Sequence, residues 1–407
     1  MLWSIAWKNI WRNKTRSFVV IIAVFMGMVG GIFSSAVMNG AAVQRIKDAI
    51  RLEISHIRIC IPAFKQDAGL EYYFTGSGKM AERISAMPWC EGVTPRTRII
   101  SMANTAARTV PVQITGIIPS ADKGVFDFTS CICDSCGDFL NDSSGNVVII
   151  GDKLAENLKV KLKSKIIFTF QDKDGNITGA AFKVAGIFHT SNNLFNEFRV
   201  FVPGTVMSEL VLLPEDAAHE IFIRVKEGYD VNQIKEMLKK AMPGFSIESW
   251  DEIDPTMGML NEMMAAMMYL FMVIILLALG FGIVNTMQMV VLERTRELGM
   301  LAAVGMKRGR IFSMIMLETL LLTSTGALLG MAASAALIAW TGSTGINLTS
   351  ISQGLEAAGF AAVIYPYLNP SFFAGVAVLV VLTAVVAAIV PARRATRLNP
   401  VEAIRVE

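Results

Sequence analysis

The residues of this 407-residue chain with chemistry to offer are three histidines, five cysteines and one carboxylate placed inside an apolar run. His56, His189 and His219 stand far apart and form no HExxH pair, and no GxSxG elbow is present. Zinc-hydrolase and serine-hydrolase chemistry therefore both lack their residues. Cys131-x-Cys133-x-x-Cys136 lies beside Asp134 and Asp138, but three thiolates without a neighbouring His fall short of a four-ligand zinc site. Cys131, Cys133 and Cys136 are read as disulfide or free-thiol residues; with Cys60 and Cys90 the count is odd, so at least one thiol stays unpaired within a single chain. A phosphate-cradling GxxxxGK[ST] loop has only a defective match, Gly76-Ser-Gly-Lys79, with Tyr73 at the first Gly position and Met80 in place of the hydroxyl residue. The expectation is a chain with no catalytic residue, no metal and no bound cofactor.

These residues are carried by a chain that is 53% hydrophobic and 17% charged, with four long apolar runs at 18–38, 265–292, 312–340 and 372–390. Each meets the requirement of about 20 residues for crossing a hydrocarbon core. Lys and Arg gather at the N-terminal flank (Lys8, Arg12, Lys14, Arg16), between runs two and three (Arg294, Arg296, Lys307, Arg308, Arg310) and in the tail (Arg393, Arg394, Arg397, Arg405), while 341–371 has none. By the positive-inside rule both termini and segment 293–311 are cytoplasmic, and 39–264 and the loop 341–371 lie outside. Acidic residues outnumber basic ones in 39–264, so the net charge of +3 comes from the cytoplasmic edges and nucleic acid is not suggested as a partner. The first run is too long for the apolar region of a cleaved signal peptide and is read as an anchor. Trp3, Trp7, Ile10 and Trp11 recur at helical spacing with Lys8 and Arg12 between them, which suits an interfacial helix over 1–17.

Segments 147–150, 165–170, 182–188, 200–202 and 220–225 are β-branched or aromatic and bounded by turn residues, so they predict strands; 153–158 and 231–242 predict helices. An α+β domain in two lobes follows, with the cysteine-bearing stretch 120–145 as a linker or insertion.

The segment Glu293-Arg-Thr-Arg-Glu-Leu-Gly-Met-Leu-Ala-Ala-Val-Gly-Met-Lys-Arg-Gly-Arg310 has the amphipathic character of a helix that docks in a partner's groove, against the plainer alternative of a solvated Arg-rich connection. This segment, Leu317-Glu-Thr-Leu-Leu-Leu with Gly326 and Gly330, and the ending Pro391-Ala-Arg-Arg-Ala-Thr-Arg-Leu-Asn-Pro-Val-Glu-Ala-Ile-Arg405 resemble permease subunits of the MacB/FtsX/Lol superfamily of ABC transporters. Gly151-Asp-Lys-Leu-Ala-Glu-Asn-Leu158 and Phe182-Lys-Val-Ala-Gly-Ile-Phe188 are similar to that family's periplasmic core domain, and 354–366 to the LolC/LolE branch.

The resemblance implies an inner-membrane, multi-pass α-helical protein with four transmembrane helices and a periplasmic α+β domain inserted between helices 1 and 2. It implies a cytoplasmic ABC ATPase dimer that holds ATP and Mg, a second permease, identical or different, and a periplasmic lipoprotein carrier or adaptor. Carried onto this chain, the ATPase-coupling residues are Glu293, Arg294, Arg296, Glu297, Leu298, Gly299, Leu301, Gly305 and Arg308. The function implied first is release of lipoproteins from the membrane by mechanotransmission; the alternatives are MacB-like export through an adaptor and outer-membrane duct, and FtsX-like control of a cell-wall hydrolase.

Three further patterns come from the residues themselves. Met257, Met263, Met264, Met267 and Met268 enter the second run, and flexible thioethers suit acyl chains as well as ordinary packing. Gly27/Gly31 and Gly326/Gly330 have the GxxxG spacing for close helix approach, within one chain or across a dimer. Glu318, near the cytoplasmic end of the third run, is read as an interhelical hydrogen-bonding or snorkelling residue rather than a proton relay.

Overall fold

Because apolar side chains dominate residues 18–38, the chain begins as one long helix, α1 (Lys14–Ala49), which ends in a wider turn at Ile50–Ile54. The computed structural model describes Arg12 and residues 14–397. The expected interfacial helix with Trp3, Trp7, Lys8, Ile10 and Trp11, and the end of the tail with Arg405, lie outside the described residues. The chain forms two units, one of residues up to 42, 262–347 and 363 onward, the other of 43–261 with 348–362.

The second unit is built on a ten-stranded sheet. In chain order its elements are β1 (Ile57–Cys60), α2 (Ser77–Ser85), β2 (Cys90–Asn104), β3 (Thr109–Ile117), β4 (Ile132–Gly137), β5 (Val147–Gly151) and α3 (Asp152–Leu158). There follow β6 (Lys165–Gln171), β7 (Ile177–Phe188), α4 (Asn193–Phe198), β8 (Arg199–Pro203), β9 (Glu220–Val225), α5 (Val231–Ala241) and β10 (Ser246–Ser249). The strands expected at 147–150, 165–170, 182–188, 200–202 and 220–225 lie within β5, β6, β7, β8 and β9.

The architecture turns on β2. Its N-terminal part pairs antiparallel with β9, from Cys90↔Val225 to Arg96↔Glu220, and its C-terminal part pairs with β3, from Arg96↔Ile117 to Asn104↔Thr109. Beyond β3 the ladder continues through β8, β5, β7 and β6, and β6 returns to β2 at Met102↔Thr169, closing a ring. A closed ring leaves no unpaired edge, and alternate side chains fill its interior. Ile166, Phe168 and Phe170 of β6 point inward with Val112, Ile114, Val148, Ile150, Phe182 and Val184, while Lys165 and Ile167 face out. On the other side β9, β1 and β10 extend from β2 as an open sheet covered by α2 and α5, with Ile57, Ile59, Ile221, Ile223 and Ile247 against Ile84, Ile234 and Leu238. The cap of α5 is local: Asp230 accepts from the Asn232 N–H at 2.9 Å.

The stretch 120–145 is not a linker. Val125, Phe126, Phe128 and Leu140 are buried with Phe188, Phe195, Phe201 and Phe222, and β4 pairs with β7. The polar residues that suggested a linker alternate with these aromatic anchors. Cys133 and Cys136 are disulfide-bonded, whereas Cys131 is a free, half-buried thiol, so it leaves the disulfide set. Cys60 is buried and its thiol is pushed up to about 12 by desolvation, so it is inert.

The first unit gathers α1, α6 (Pro255–Glu293), α7 (Thr295–Ala303), α8 (Arg308–Thr344) and α9 (Pro370–Thr396). α1, α6, α8 and α9 are long and apolar enough to cross a membrane. Pro370 at the first helical position and the Asn369 side chain, accepting from Ser371 N–H at 3.1 Å, start α9. Each long helix buries a stripe at spacings of three and four: Val20, Val24, Met28 and Ile32 on α1, Met272, Leu276, Leu279 and Ile283 on α6, Phe372, Val376 and Val380 on α9.

Lipid tails are as apolar as these side chains, so close packing has to hold the helices together. The glycine pairs supply it within the chain. A Cβ at Gly326 would sit 2.8 Å from Ile21 O and at Gly330 2.6 Å from Met28 Cβ, so α8 presses backbone to backbone on α1. A Cβ at Gly27 would sit 2.8 Å from Leu279 Cδ1 and at Gly31 3.1 Å from Ile275 Cδ1, so the other pair faces α6.

Replacing Gly330 by Val should lower the thermal unfolding temperature in detergent, by the overpacking cost of about 1–3 kcal/mol. Gly30→Ala, which meets open space, is the control. Equal unfolding temperatures for the two variants would show that the α1–α8 approach is not tight.

Candidate functional site

The segment that joins α6 to α8 is short, charged and folded as a helix. α7 starts at Thr295 and ends on Gly305, whose φ of 96° only glycine adopts without strain. Its C-terminus is closed by two reversed bonds, Met306 N–H to Leu301 O at 3.0 Å and Gly305 N–H to Ala302 O at 3.2 Å, the paired pattern of a glycine-terminated helix.

On one side, α7 is tied into the bundle by ion pairs. Arg294 donates from Nε to Glu297 Oε2 at 3.0 Å and from Nη1 to both oxygens of Glu318 at 3.1 and 3.2 Å. Arg12 completes the chain by pairing with the other oxygen of Glu297. A carboxylate on α8, an arginine at the start of α7, a glutamate on α7 and an arginine preceding α1 thus form one line of alternating charge. Glu318 is only 5% exposed and Arg294 is largely buried, so neither is left to solvent. Burial works against ionisation of Glu297, yet the hydrogen bonds from Arg294 and Arg12 outweigh it and hold the carboxyl below the usual glutamate range. Leu298 is buried, and Leu301 and Met306 pack against the bundle core.

The opposite side is open. Met300 is 52% and Val304 88% exposed, flanked by exposed Arg296, Lys307 and Arg308. Two bare apolar side chains one helical turn apart thus stand within a basic rim.

This sorts the expected coupling residues. Arg294, Glu297, Leu298, Gly299 and Leu301 face the bundle, because the carboxylate of Glu318 and the apolar core claim them; Glu293, Arg296, Gly305 and Arg308 are exposed. Met300 and Val304 were missed by sequence reasoning. Their signal is present as apolar residues four apart in a charged loop, but the docking reading rests on the loop's charged residues, glycines and leucines.

The methionines also divide. Met268 is buried in the bundle, and Met257 packs against Ala49 and Ile54, so these two are packing residues. Met264 is half-buried, while Met263 and Met267 are 52% and 41% exposed, one turn apart on α6. Loop residues 348–362 belong to the second unit, where a short helix, Ser352–Ala357, lies against α4.

A four-helix bundle with a short charged helix between its second and third long helices, and a ring-and-sheet domain inserted after its first, is the plan of a transporter permease. Residues 17–241 match the family model of the MacB-like periplasmic core domain and 269–400 that of the FtsX-like permease C-terminal region. The chain belongs to the MacB/FtsX family of ABC transporter permeases. It is 24% identical to an uncharacterized ABC transporter permease of Methanocaldococcus jannaschii, over 99% of this chain and 97% of that one. It is 25% identical to the macrolide export ATP-binding/permease protein MacB of Escherichia coli O157:H7, over 98% of this chain but 60% of that protein, so it spans less than two thirds of that relative's length. The periplasmic region of MacB from Actinobacillus actinomycetemcomitans aligns with 13% identity and a TM-score of 0.37, covering 53% of this chain and 98% of that one.

Removing one partner of the buried pair should cost about 3–5 kcal/mol, since a lone charge remains. Glu318→Gln and Arg294→Met are therefore expected to unfold several degrees earlier in detergent, and the double variant Arg294→Met/Glu318→Leu to recover most of the loss. A double variant no more stable than the singles would mean that the two residues act separately.

Proposed function

We propose that this chain is the mechanotransmission subunit of an ABC transporter in the cytoplasmic membrane. ATP and Mg bind a separate ATPase dimer, that dimer seats on the exposed face of α7, and its closure is passed through the bundle to the large domain, which works on the outer side of the membrane. The observation that carries this reading is the two-sided character of α7: Met300 and Val304 are bare, while Leu298 and Leu301 lie against the bundle and Arg294 and Glu297 tie the helix to Glu318 and Arg12. A helix free on both faces would turn in place when pushed. One fixed to α8 and to the chain before α1 carries a push into both. α1 and α6, whose residues belong to both units, give that push a continuous helical path.

For the cargo, the macrolide export of the MacB relatives supports export, with an adaptor and outer-membrane duct as partners and a second permease completing the complex. One observation favours the lipoprotein-release reading: Met263 and Met267 remain exposed on α6, where adaptable thioethers could meet an acyl chain. FtsX-like regulation of a cell-wall hydrolase has no feature of its own here.

Met300→Asp with Val304→Asp should leave membrane insertion intact and abolish stimulation of the ATPase; losing two central apolar contacts costs an interface about 2 kcal/mol or more. Undiminished stimulation would remove α7 as the docking element. Met263→Ser with Met267→Ser separates the cargo readings. Weakened capture of triacylated lipoprotein supports release, and unchanged capture leaves export.

A further inference from the structure

The second unit contains a polar cavity whose wall holds four arginines, Arg58, Arg96, Arg98 and Arg199. Three of them are provided for. Arg58 donates to Glu220 at 2.8 Å and to Glu248 at 2.9 Å. Arg96 grips both oxygens of Asp122 at 2.8 and 2.9 Å while lying over the Phe126 ring, and Arg98 lies 3.5 Å from Glu220.

Arg199 is different. Among the described residues its side chain has no hydrogen bond or ion pair, only the Phe195 ring 5.8 Å from its guanidinium carbon. The carboxylates that line the same cavity are already engaged: Glu53 by Arg45 and Asn192, Glu220 by Arg58, Asp254 by Thr256. Beside Arg199, at its paired position in the parallel β3–β8 ladder, stands Gln113, 6% exposed, whose Nε2 has no acceptor. Gln113 also lines the cavity. A buried amide donor and a guanidinium fork, held side by side by strand register and both lacking an acceptor, leave one deficit: two or more acceptor oxygens carrying negative charge.

We infer that this cavity is an anion site, taking the phosphate or carboxylate of a small ligand between Arg199 and Gln113. Its free state is costly in a way that an anion relieves. Burial and the neighbouring Arg98 push the Arg199 guanidinium down to about 10, against the weaker pull of Glu220 and Glu53, so its charge is poorly compensated where it stands. The mouth says what can be attached to the anion. Arg199 and Glu53 also line an adjoining groove walled by Val110, Pro111, Leu194 and Phe198, with Leu194 70% exposed. An apolar groove leading to a cationic pocket fits an anionic amphiphile lying with its head inside.

The test uses the full chain in neutral detergent and phosphate-free buffer. The probes are dihexanoyl phosphatidic acid, its zwitterionic phosphatidylcholine counterpart and inorganic phosphate, with binding read by thermophoresis and stability by thermal unfolding. Saturable binding of phosphatidic acid over phosphatidylcholine is expected, weakened roughly ten- to a hundredfold by Arg199→Gln, the range for hydrogen bonds to a charged group. Gln113→Leu should weaken it as well while keeping or raising the unfolding temperature, because its amide donor has no partner to lose. Without anion, Arg199→Gln should also unfold at a higher temperature than the parent.

Competition by inorganic phosphate would identify a free anion as sufficient, and its absence would assign the site to a lipid headgroup; either supports the site. The inference is overturned if no anionic probe binds saturably, if both variants bind as the parent does, or if Arg199→Gln unfolds earlier in anion-free buffer, which would make Arg199 a structural residue stacked on Phe195.

Discussion

A carboxylate inside an apolar helix bundle has to find a cation, and in this protein the obligation of Glu318 fixes the position of α7. Water is not at hand to solvate it, so Arg294 must turn inward from the start of α7. Once Arg294 is committed, Glu297 one turn later meets Arg12, Leu298 and Leu301 turn into the bundle, and Met300 and Val304 are left exposed. One buried ionic contact thereby decides which side of a nine-residue helix is buried and which is left exposed.

The bundle around that contact is held by shape, since no hydrophobic gain distinguishes a neighbouring helix from lipid. Gly326 and Gly330 let α8 settle on α1 at backbone distance, while Gly27 and Gly31 make room for the Leu279 and Ile275 side chains of α6 on another face of α1. α1 is thus the shared neighbour of both glycine contacts, and the line of charge from Glu318 ends at Arg12, just before it.

Much of this was legible in the sequence because the signals are local. Apolar runs announced the spans, β-branched runs announced β5 to β9, and the charged loop announced α7. What was hidden has a common cause. β2 reads Cys-Glu-Gly-Val-Thr-Pro-Arg-Thr-Arg-Ile-Ile-Ser-Met-Ala-Asn, with a proline and two arginines where alternation would require apolar residues. Arg96 and Arg98 are tolerated because Asp122, Glu220 and aromatic rings from distant segments receive them. The polar stretch 120–145 was read as a linker for the same reason: it brings Asp122 to Arg96, and its phenylalanines become core only when β7, β8 and β9 surround them. For the candidate site, the sequence identified the segment but not its facing, since the partner of Arg294 lies a full helix away at Glu318.

The fifteen residues of β2 are common property of the closed ring and the open sheet. Cutting the domain between its two halves would strip the ring of a stave and leave a raw edge on each fragment. The domain is therefore indivisible as a hereditary unit: recombination can replace it whole, or vary its loops, but cannot shuffle one half against a foreign other, and whatever the two halves recognise has to evolve in concert.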